Sequence, residues 1–326
     1  MKKFIKLFSL VVVFTMCLFI FSGCQSSDGK IKVGIIQYGS HSSLDNCYNG
    51  LREALDNSDL AAKMDIDFQN GNMESSTCDT IAKNMAAKGY DMIIAIATPA
   101  AVSAYGAAGV SGTPVVFCAV SDPVEAGLVN SMESPGLNCS GTSDILDLSA
   151  QLDLITALQP DVKNIGVLYT TSEANSVSQL KRLKEVAATK NITIVEQGVQ
   201  SSAEVPQAAV TLASKVDCIN NFTDNNVVNN LASILSAASA EGIPVYGSEI
   251  EQVKKGCLAS VSIDYVELGR RTGEMAINAL NGQKLSEMPI VQITDCEPVV
   301  NTDVLQQLNI ELPEGYQDAQ KVTSEA

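Results

Sequence analysis

The chain contains a single histidine, His41, and its surroundings raise the question of nucleophilic catalysis. Serines flank it at Ser40, Ser42 and Ser43, and a serine activated by a neighbouring histidine is a common nucleophile. The sequence has no G-x-S-x-G turn to present such a serine and no evident acidic residue to orient the histidine. We therefore expect His41 to cap a helix or line a binding cleft, and we predict no catalytic residue.

Motifs for phosphates, dinucleotides and metal ions are missing as well. The sequence contains no G-x-x-x-x-G-K-[ST] and no G-x-G-x-x-G. Glycines at 106, 109 and 112 follow a helical segment instead of opening one, which is typical of a turn. The acidic residues show no metal-loop spacing, and the pair Asp144 and Asp147 is a weak pattern. The sequence predicts no cofactor, no metal ion and no enzymatic activity.

Polar residues instead gather in six loops, each following an apolar segment. The loops span residues 38–43, 98–101, 121–125, 170–176, 223–226 and 248–251. Serine, threonine, aspartate and asparagine cap helix N-termini, whose free N–H groups and partial positive charge suit a carboxylate. Most of these residues will serve only as caps, but six such loops facing one cleft would bind a small molecule. The candidate contacts are Tyr38, His41, Ser42, Ser43, Thr98, Ser121, Asp122, Asn175, Asp224 and Ser248.

Strand-like and helix-like segments alternate between these loops. Apolar runs at 31–37, 64–68, 91–97 and 114–119 predict buried strands, and segments 44–55, 78–88 and 98–108 predict helices. Continuous apolar strands that alternate with helices are typical of parallel sheets covered on both faces. The fold class is therefore α/β.

The same order of motifs recurs later in the chain. Gly34 corresponds to Gly166, Asp91 corresponds to Asp217, and GTPVV is echoed as GIPVY, with offsets of 132, 126 and 130 residues. Such a repeat predicts two similar Rossmann-like lobes side by side. Ligands of parallel sheets bind beyond the carboxyl ends of the strands, so a cleft between the lobes is the expected site.

Several phrases match a known family. They are IATPAA (96–101), SDPVEAGLV (121–129), TDNNVV (223–228) and VSIDYVELGRRTGEMA (261–276). With them the chain resembles the substrate-binding proteins of ABC transporters that have the type I periplasmic-binding fold, specifically the TrpX-like (tryptophan/tyrosine-type) group. The resemblance covers almost all of residues 31–301. The first loop, QYGSHSSLDN, departs from the more acidic, Pro-containing loop of aromatic-amino-acid binders, and the chain has no tryptophan.

The resemblance implies a hinge of three chain crossings, near 140–144, 260–264 and 287–294. Lobe 1 would hold residues 31–142 plus 265–287, and lobe 2 would hold 143–264 plus 288–326. Asp144 and Asp264 would lie at crossings, where each either contacts the ligand or makes hinge hydrogen bonds. The resemblance also implies that the protein delivers a small molecule to an ABC permease in the membrane.

The N-terminal residues are typical of an export signal. Lys2, Lys3 and Lys6 precede an apolar run at 7–21, which is short for a membrane span. The run ends in Ser22-Gly23-Cys24, which resembles a bacterial lipobox. We expect residues 1–23 to be removed, Cys24 to carry lipid, and 24–30 to form a tether outside the cytoplasm. The alternative is an uncleaved anchor.

The charge of the chain restricts its partners. Removal of the three lysines changes the net charge from −16 to −19, and so acidic a chain offers no basic surface for nucleic acid. Contact with the membrane would then depend on the lipid anchor alone. We expect a monomer.

The ligand expected from these residues is a small zwitterion such as an amino acid. Its carboxylate suits the helix N-termini at Ser42 and Ser43, Thr98 and Ser121. Its ammonium group needs an anionic partner, for which Asp224 and Asp264 are the first candidates and Asp144 the third. Asp122 and Asp224 are also explained as structural caps. A nucleoside or sugar ligand, or a role in sensing instead of transport, remains an alternative.

Overall fold

The structure is a computed structural model that describes residues 29–293 and 296–325. Cys24 and the rest of the predicted signal and tether up to residue 28 lie outside these residues. Within the described part of the chain, no helix is long and apolar enough to cross a membrane.

The first lobe begins with alternating strands and helices, as the apolar pattern predicts. Its elements are β1 (Ile31–Gln37), α1 (Ser42–Asp56), β2 (Met64–Asn70), α2 (Ser75–Ala87), β3 (Met92–Ile96), α3 (Thr98–Ser111), β4 (Val115–Cys118) and β5 (Cys139–Ser143). Every residue of β3 and β4 is buried, because helices cover both faces of the sheet.

The second lobe repeats this alternation. Its elements are α4 (Leu148–Leu158), β6 (Asn164–Thr170), α5 (Ala174–Thr189), β7 (Thr193–Val199), α6 (Val205–Ala213), β8 (Cys218–Asn220), α7 (Asn225–Asn229), α8 (Leu231–Glu241), β9 (Val245–Tyr246), α9 (Ile250–Lys254) and β10 (Ala259–Ser262).

The chain then returns to each lobe once more. The remaining elements are α10 (Tyr265–Leu280), β11 (Val291–Gln292), β12 (Glu297–Asn301), α11 (Thr302–Leu308) and β13 (Gln320–Val322). Helix α10 packs along α1, and β11 pairs with β5, so both belong to the first lobe. Strand β12 pairs with β10 in the second lobe.

The order of the strands determines where a ligand can bind. The first sheet has the order β11-β5-β4-β3-β1-β2, and the second has the order β7-β6-β8-β9. In each sheet the connections leave the first strand in opposite directions, towards β2 and β3 in one lobe and towards β7 and β8 in the other. Such a switch point opens a crevice at the carboxyl ends of the strands. These ends carry the loops after β1 and β3, and after β6 and β8.

The fold class predicted from the sequence, two parallel-sheet lobes, is confirmed. The second lobe adds a feature that the pattern did not predict, a three-stranded sheet β10-β12-β13 in which β10 and β12 run antiparallel. Backbone hydrogen bonds from Gly247 to Ala259 and from Leu258 to Val245 join it to β9.

The sheet pairing also moves one predicted boundary. The resemblance implies that residues 288–326 belong to lobe 2, but Val291 and Gln292 pair in parallel with Thr142 and Ser143 of lobe 1. The last crossing therefore follows Gln292, because these two residues complete the edge of the first sheet.

Helices α1 and α10 approach each other closely. A Cβ atom on Gly50 would lie 1.9 Å from the carbonyl oxygen of Val266, and one on Gly269 would lie 2.0 Å from that of Cys47. Such distances exclude any side chain, so glycine at both positions permits the contact. Helix α10, which starts at the second crossing, is thereby held against the helix that starts at the cleft.

Candidate functional site

A cavity of about 330 Å³, counted out to its mouth, lies between the carboxyl ends of the two parallel sheets. Lobe 1, including the crossings, contributes His41, Ser43, Leu44, Ala97, Thr98, Ala119, Ser121, Asp144 and Tyr265 to its lining. Lobe 2 contributes Asn175, Thr223, Asn225, Val228 and Gln252.

Two helix N-termini form the wall of lobe 1. Ser43 lies in the first turn of α1 and Thr98 is the first residue of α3, and both are buried. The residue before α3, Ala97, has φ of +80°, and Ala119 after β4 has φ of +56°. Alanine seldom adopts this left-handed region, and such strain gathers at ligand sites. Because both alanines line the cavity, the strained turns shape its wall.

A buried carboxylate, Asp144, lies at the first crossing. Its Oδ1 accepts a hydrogen bond of 2.8 Å from the Ser121 hydroxyl, and its Oδ2 accepts one of 2.8 Å from the Tyr265 phenol. Burial raises the pKa of Asp144, against the opposing effect of these hydrogen bonds. The ion pairs in the described part of the chain do not include this residue. The cavity therefore has a buried acid with no cationic partner among the described residues.

The wall of lobe 2 is organised by Glu173, which lies just before α5 and is buried. Its Oε2 accepts hydrogen bonds from Asn175 Nδ2 (3.2 Å) and from Asn225 Nδ2 (2.7 Å), as well as from the backbone N–H of Asn225 (3.3 Å). Burial and the neighbouring Asp224 carboxylate raise the pKa of Glu173 well above its usual range. Glu173 thus orients two amide side chains that line the cavity.

His41 joins the two walls. Its Nε2 lies 3.3 Å from Oδ1 of Asn225, across the cleft. Its side chain caps no helix N–H, and its buried Nδ1 has no hydrogen-bond partner in the described part of the chain. Burial lowers the pKa of His41 to about 4, so the imidazole is neutral at pH 7.

A second buried glutamate, Glu249, caps the N-terminus of α9. Its Oε1 accepts from the backbone N–H of Gln252 at 2.9 Å, and its Oε2 accepts from that of Glu251 at 2.7 Å. Burial raises the pKa of Glu249 to about 7. The cap holds Gln252 at the cavity.

Six residues predicted from the sequence line the cavity. They are His41, Ser43, Thr98, Ser121, Asp144 and Asn175.

The other predicted residues lie outside the lining, and their side chains have structural partners. Tyr38 donates to the carbonyl oxygen of Met73 at 2.9 Å, and burial raises its pKa to about 12. Ser42 accepts a bond of 2.5 Å from Lys255 of lobe 2. Ser248 accepts from the side chain of Gln252 at 2.9 Å.

The three remaining predicted acids act as caps. Asp224 is completely buried and accepts from Thr170 N (2.5 Å), Thr170 Oγ1 (2.8 Å) and Val227 N (3.0 Å). Asp264 is exposed and caps α10 through the N–H groups of residues 266 and 267. Asp122 caps the turn at residue 125 and accepts from Ser178 of lobe 2. The preference for Asp224 and Asp264 over Asp144 as the acid of the cavity thus has no support in these contacts.

Sequence reasoning missed several residues of the site. Thr223, Asn225 and Gln252 line the cavity. Glu173 and Glu249 accept hydrogen bonds from two of these residues, Asn225 and Gln252 respectively. Both glutamates lie in loops that the sequence analysis identified, but a glutamate beside a helix start is expected to be an exposed cap. Only the structure shows that these two glutamates are buried.

Comparison with known proteins identifies the family. Residues 32–322 match the sequence profile of the family described as ABC transporter substrate binding protein. A relative in Clostridioides difficile, named as a tyrosine-binding protein, is 36% identical over 327 residues and aligns with 95% of this chain and 94% of its own length. The chain belongs to the ABC transporter substrate-binding protein family. The resemblance seen in the sequence is confirmed, and members of this family bind solutes outside the cytoplasm and are not enzymes.

Solved structures agree with this assignment. A Streptococcus pneumoniae ABC domain in complex with L-Trp is 34% identical, with a TM-score of 0.85 over 90% of this chain and all of that one. The ligand-free, open structure of a Clostridium difficile substrate-binding protein with adhesive properties is 39% identical, but its TM-score is 0.69 over 90% of this chain and 99% of that one. The chain is thus more similar in overall structure to the L-Trp complex than to the open, ligand-free protein, although the latter is more identical in sequence.

Proposed function

We propose that the cavity binds an amino acid as a zwitterion, with an aromatic side chain, and that the protein delivers it to an ABC permease. The carboxylate of the ligand would accept from the helix N-termini at Ser43 and Thr98. The ammonium group would pair with Asp144. Leu44 and Val228 would contact the side chain of the ligand.

The observation that carries this proposal is the buried carboxylate of Asp144. A buried charge without a counter-ion is costly, and a cationic ligand group would supply one. Hydrogen bonds from Ser121 and Tyr265 fix its two oxygens in place. A neutral sugar would leave this acid without a cation, whereas an ammonium group would stabilise its ionised form, so the site favours a ligand with an ammonium group.

The choice of an aromatic amino acid is supported by the relatives. One is named as a tyrosine-binding protein, and another was solved with L-Trp. Each covers at least nine tenths of this chain at more than 30% identity.

Calorimetry with a matched set of ligands tests the proposal. L-tyrosine should bind, whereas tyramine, which lacks the carboxylate, and 3-(4-hydroxyphenyl)propionate, which lacks the amine, should each bind at least tenfold more weakly, by about 1.4 kcal/mol. Tight binding of a neutral sugar or nucleoside, with no response to any amino acid, would contradict the proposal.

The same proposal includes anchoring through lipid on Cys24, a residue outside the described part of the chain. The lipobox-like Ser22-Gly23-Cys24 supports it, and the acidic chain offers no electrostatic attraction to an anionic membrane. Cys24→Ser should release the protein from membranes or leave its signal uncleaved. A variant that stays membrane-bound at the mature mass would refute the anchor. Uptake of labelled ligand by cells, lost on deletion of the gene, would test delivery.

A further inference from the structure

The side chain of Asn225 has a fixed orientation. Its amide faces Oε2 of Glu173, and the same oxygen accepts from the backbone N–H of Asn225, a donor that cannot reverse its role. Asn175 Nδ2 donates to this oxygen as well. The Asn225 atom at 2.7 Å from Oε2 is therefore the nitrogen, and Oδ1 points across the cleft to His41.

The orientation of Asn225 in turn sets the tautomer of His41. Oδ1 of Asn225 can only accept, so Nε2 of His41 must carry the proton. A neutral imidazole has one N–H, which leaves Nδ1 as an acceptor. That atom is buried and has no partner among the described residues, in a side chain that lines the cavity. An unsatisfied buried acceptor is unfavourable, and a donor on the ligand would offset this cost.

We infer that Nδ1 of His41 accepts a hydrogen bond from an N–H or O–H group of the bound ligand, and that Glu173 is a positioning residue which holds His41 in this tautomer through Asn225. The inference rests on the proposed function, because the ligand is the amino acid. The donor is either the ammonium group or a side-chain donor such as a phenol or an indole N–H. A carboxylate oxygen of the ligand is excluded at this position, because its lone pairs would face the lone pair of Nδ1.

Two substitutions at the same position separate the roles of the two ring nitrogens. His41→Asn keeps an acceptor near the position of Nδ1 but removes the contact with Asn225. His41→Gln keeps a donor near the position of Nε2 but removes the Nδ1 acceptor. By calorimetry with L-tyrosine, we expect His41→Gln to lose at least tenfold in affinity and His41→Asn to lose less. The reverse order would mean that His41 serves only as a tie between the lobes, and would overturn the inference.

The comparison of L-tyrosine with L-phenylalanine identifies the donor. If the side-chain hydroxyl donates, His41→Gln should weaken L-tyrosine and leave L-phenylalanine within twofold. If the ammonium group donates, both amino acids should weaken equally. Equal, wild-type affinity of His41→Gln for both would overturn the inference. No binding of any amino acid to the wild type would overturn the proposed function and the inference with it.

The tautomer can be observed directly, because the chain has a single histidine. Nitrogen-15 NMR of the ligand-bound protein should show one ring resonance pair with the proton on Nε2. Glu173→Gln can keep an oxygen facing Asn225 and should preserve this tautomer, whereas Glu173→Ala should give a mixture. A bound wild type with the proton on Nδ1, or on both nitrogens, would overturn the inference even if binding itself is tight.

Discussion

The phenol of Tyr265 donates a hydrogen bond of 2.8 Å to Oδ2 of Asp144, and this bond joins the first crossing between the lobes to the start of the helix that follows the second. Asp144 directly follows β5, where the chain first leaves lobe 1, and Tyr265 is the first residue of α10. The acid of the cavity is therefore held by the hinge itself, and any variant of Asp144 tests the site and the hinge together.

Asp144→Asn should reduce the affinity for an amino acid at least tenfold, about 1.4 kcal/mol, because the ammonium group loses its anionic partner. Calorimetry at pH 7 measures the change. Asp264→Asn is the matched control, since Asp264 is exposed and asparagine caps helices equally well. Equal affinities of wild type and Asp144→Asn would remove Asp144 from the site.

Asp224→Asn should destabilise lobe 2 more than it affects binding. Its carboxylate accepts three hydrogen bonds in a completely buried position, and an amide offers only one oxygen. We expect the free energy of unfolding to fall by about 1–3 kcal/mol. Affinity should change by less than tenfold. A large loss of affinity at unchanged stability would instead restore Asp224 as a ligand contact.

Thr98→Val should weaken binding at least tenfold, about 1.4 kcal/mol, if the hydroxyl at the start of α3 contacts the ligand. Thr98→Ser retains the hydroxyl and should bind like the wild type. The melting temperature of each unliganded variant should stay within a few degrees of the wild type. Unchanged affinity of the valine variant would exclude the hydroxyl from the site.

Gly50→Ala should destabilise the protein by about 1–3 kcal/mol or more, because its Cβ would overlap the backbone of α10. Gly106→Ala is the control: no atom lies within 4 Å of a Cβ there, and alanine favours the helix by about 0.5–1 kcal/mol. Urea unfolding should move the two midpoints in opposite directions. A midpoint for Gly50→Ala at or above that of the wild type would contradict the close contact.

Glu249 should make stability depend on pH. Its pKa rises from 4.5 to about 7 on folding, so the folded state binds the proton more tightly. The contribution of Glu249 to the free energy of unfolding is therefore greatest at low pH. It falls by roughly 3 kcal/mol between pH 4.5 and pH 7 and then levels off. Glu249→Gln should lose this contribution, so its stability relative to the wild type should increase with pH.

The sequence predicted the framework of this protein more closely than its site. Strand β1 has the predicted bounds, and the repeat that aligns Asp91 with Asp217 has a physical basis. Each aspartate accepts a backbone N–H from the first two residues of the first strand of its lobe, Asp91 from Lys32 at 2.7 Å and Asp217 from Asn164 at 2.7 Å. The spacing of apolar residues and the local capping residues determine such features, and both can be recognised in a single sequence.

The direction of individual side chains was not readable in this way. Asp144 and Asp224 both lie in polar stretches of the sequence, GTSD and TDNN, and the preference for Asp224 rested on its place at a predicted helix start. Only the packed structure shows that Asp224 turns back onto Thr170 while Asp144 remains at the cavity. Burial likewise separates Glu173 from the exposed glutamates of other loops, and burial depends on contacts between distant segments.

The burial of Asp144 affects how often the ligand-free protein adopts the closed form. When the lobes close without a ligand, this carboxylate leaves water and gains no cation, so closure is disfavoured, and each 1.4 kcal/mol of that cost reduces the closed fraction of empty molecules tenfold. A permease that recognises the closed shape would then seldom meet an empty carrier. One buried charge would thus limit unproductive docking, without any further contact between carrier and permease.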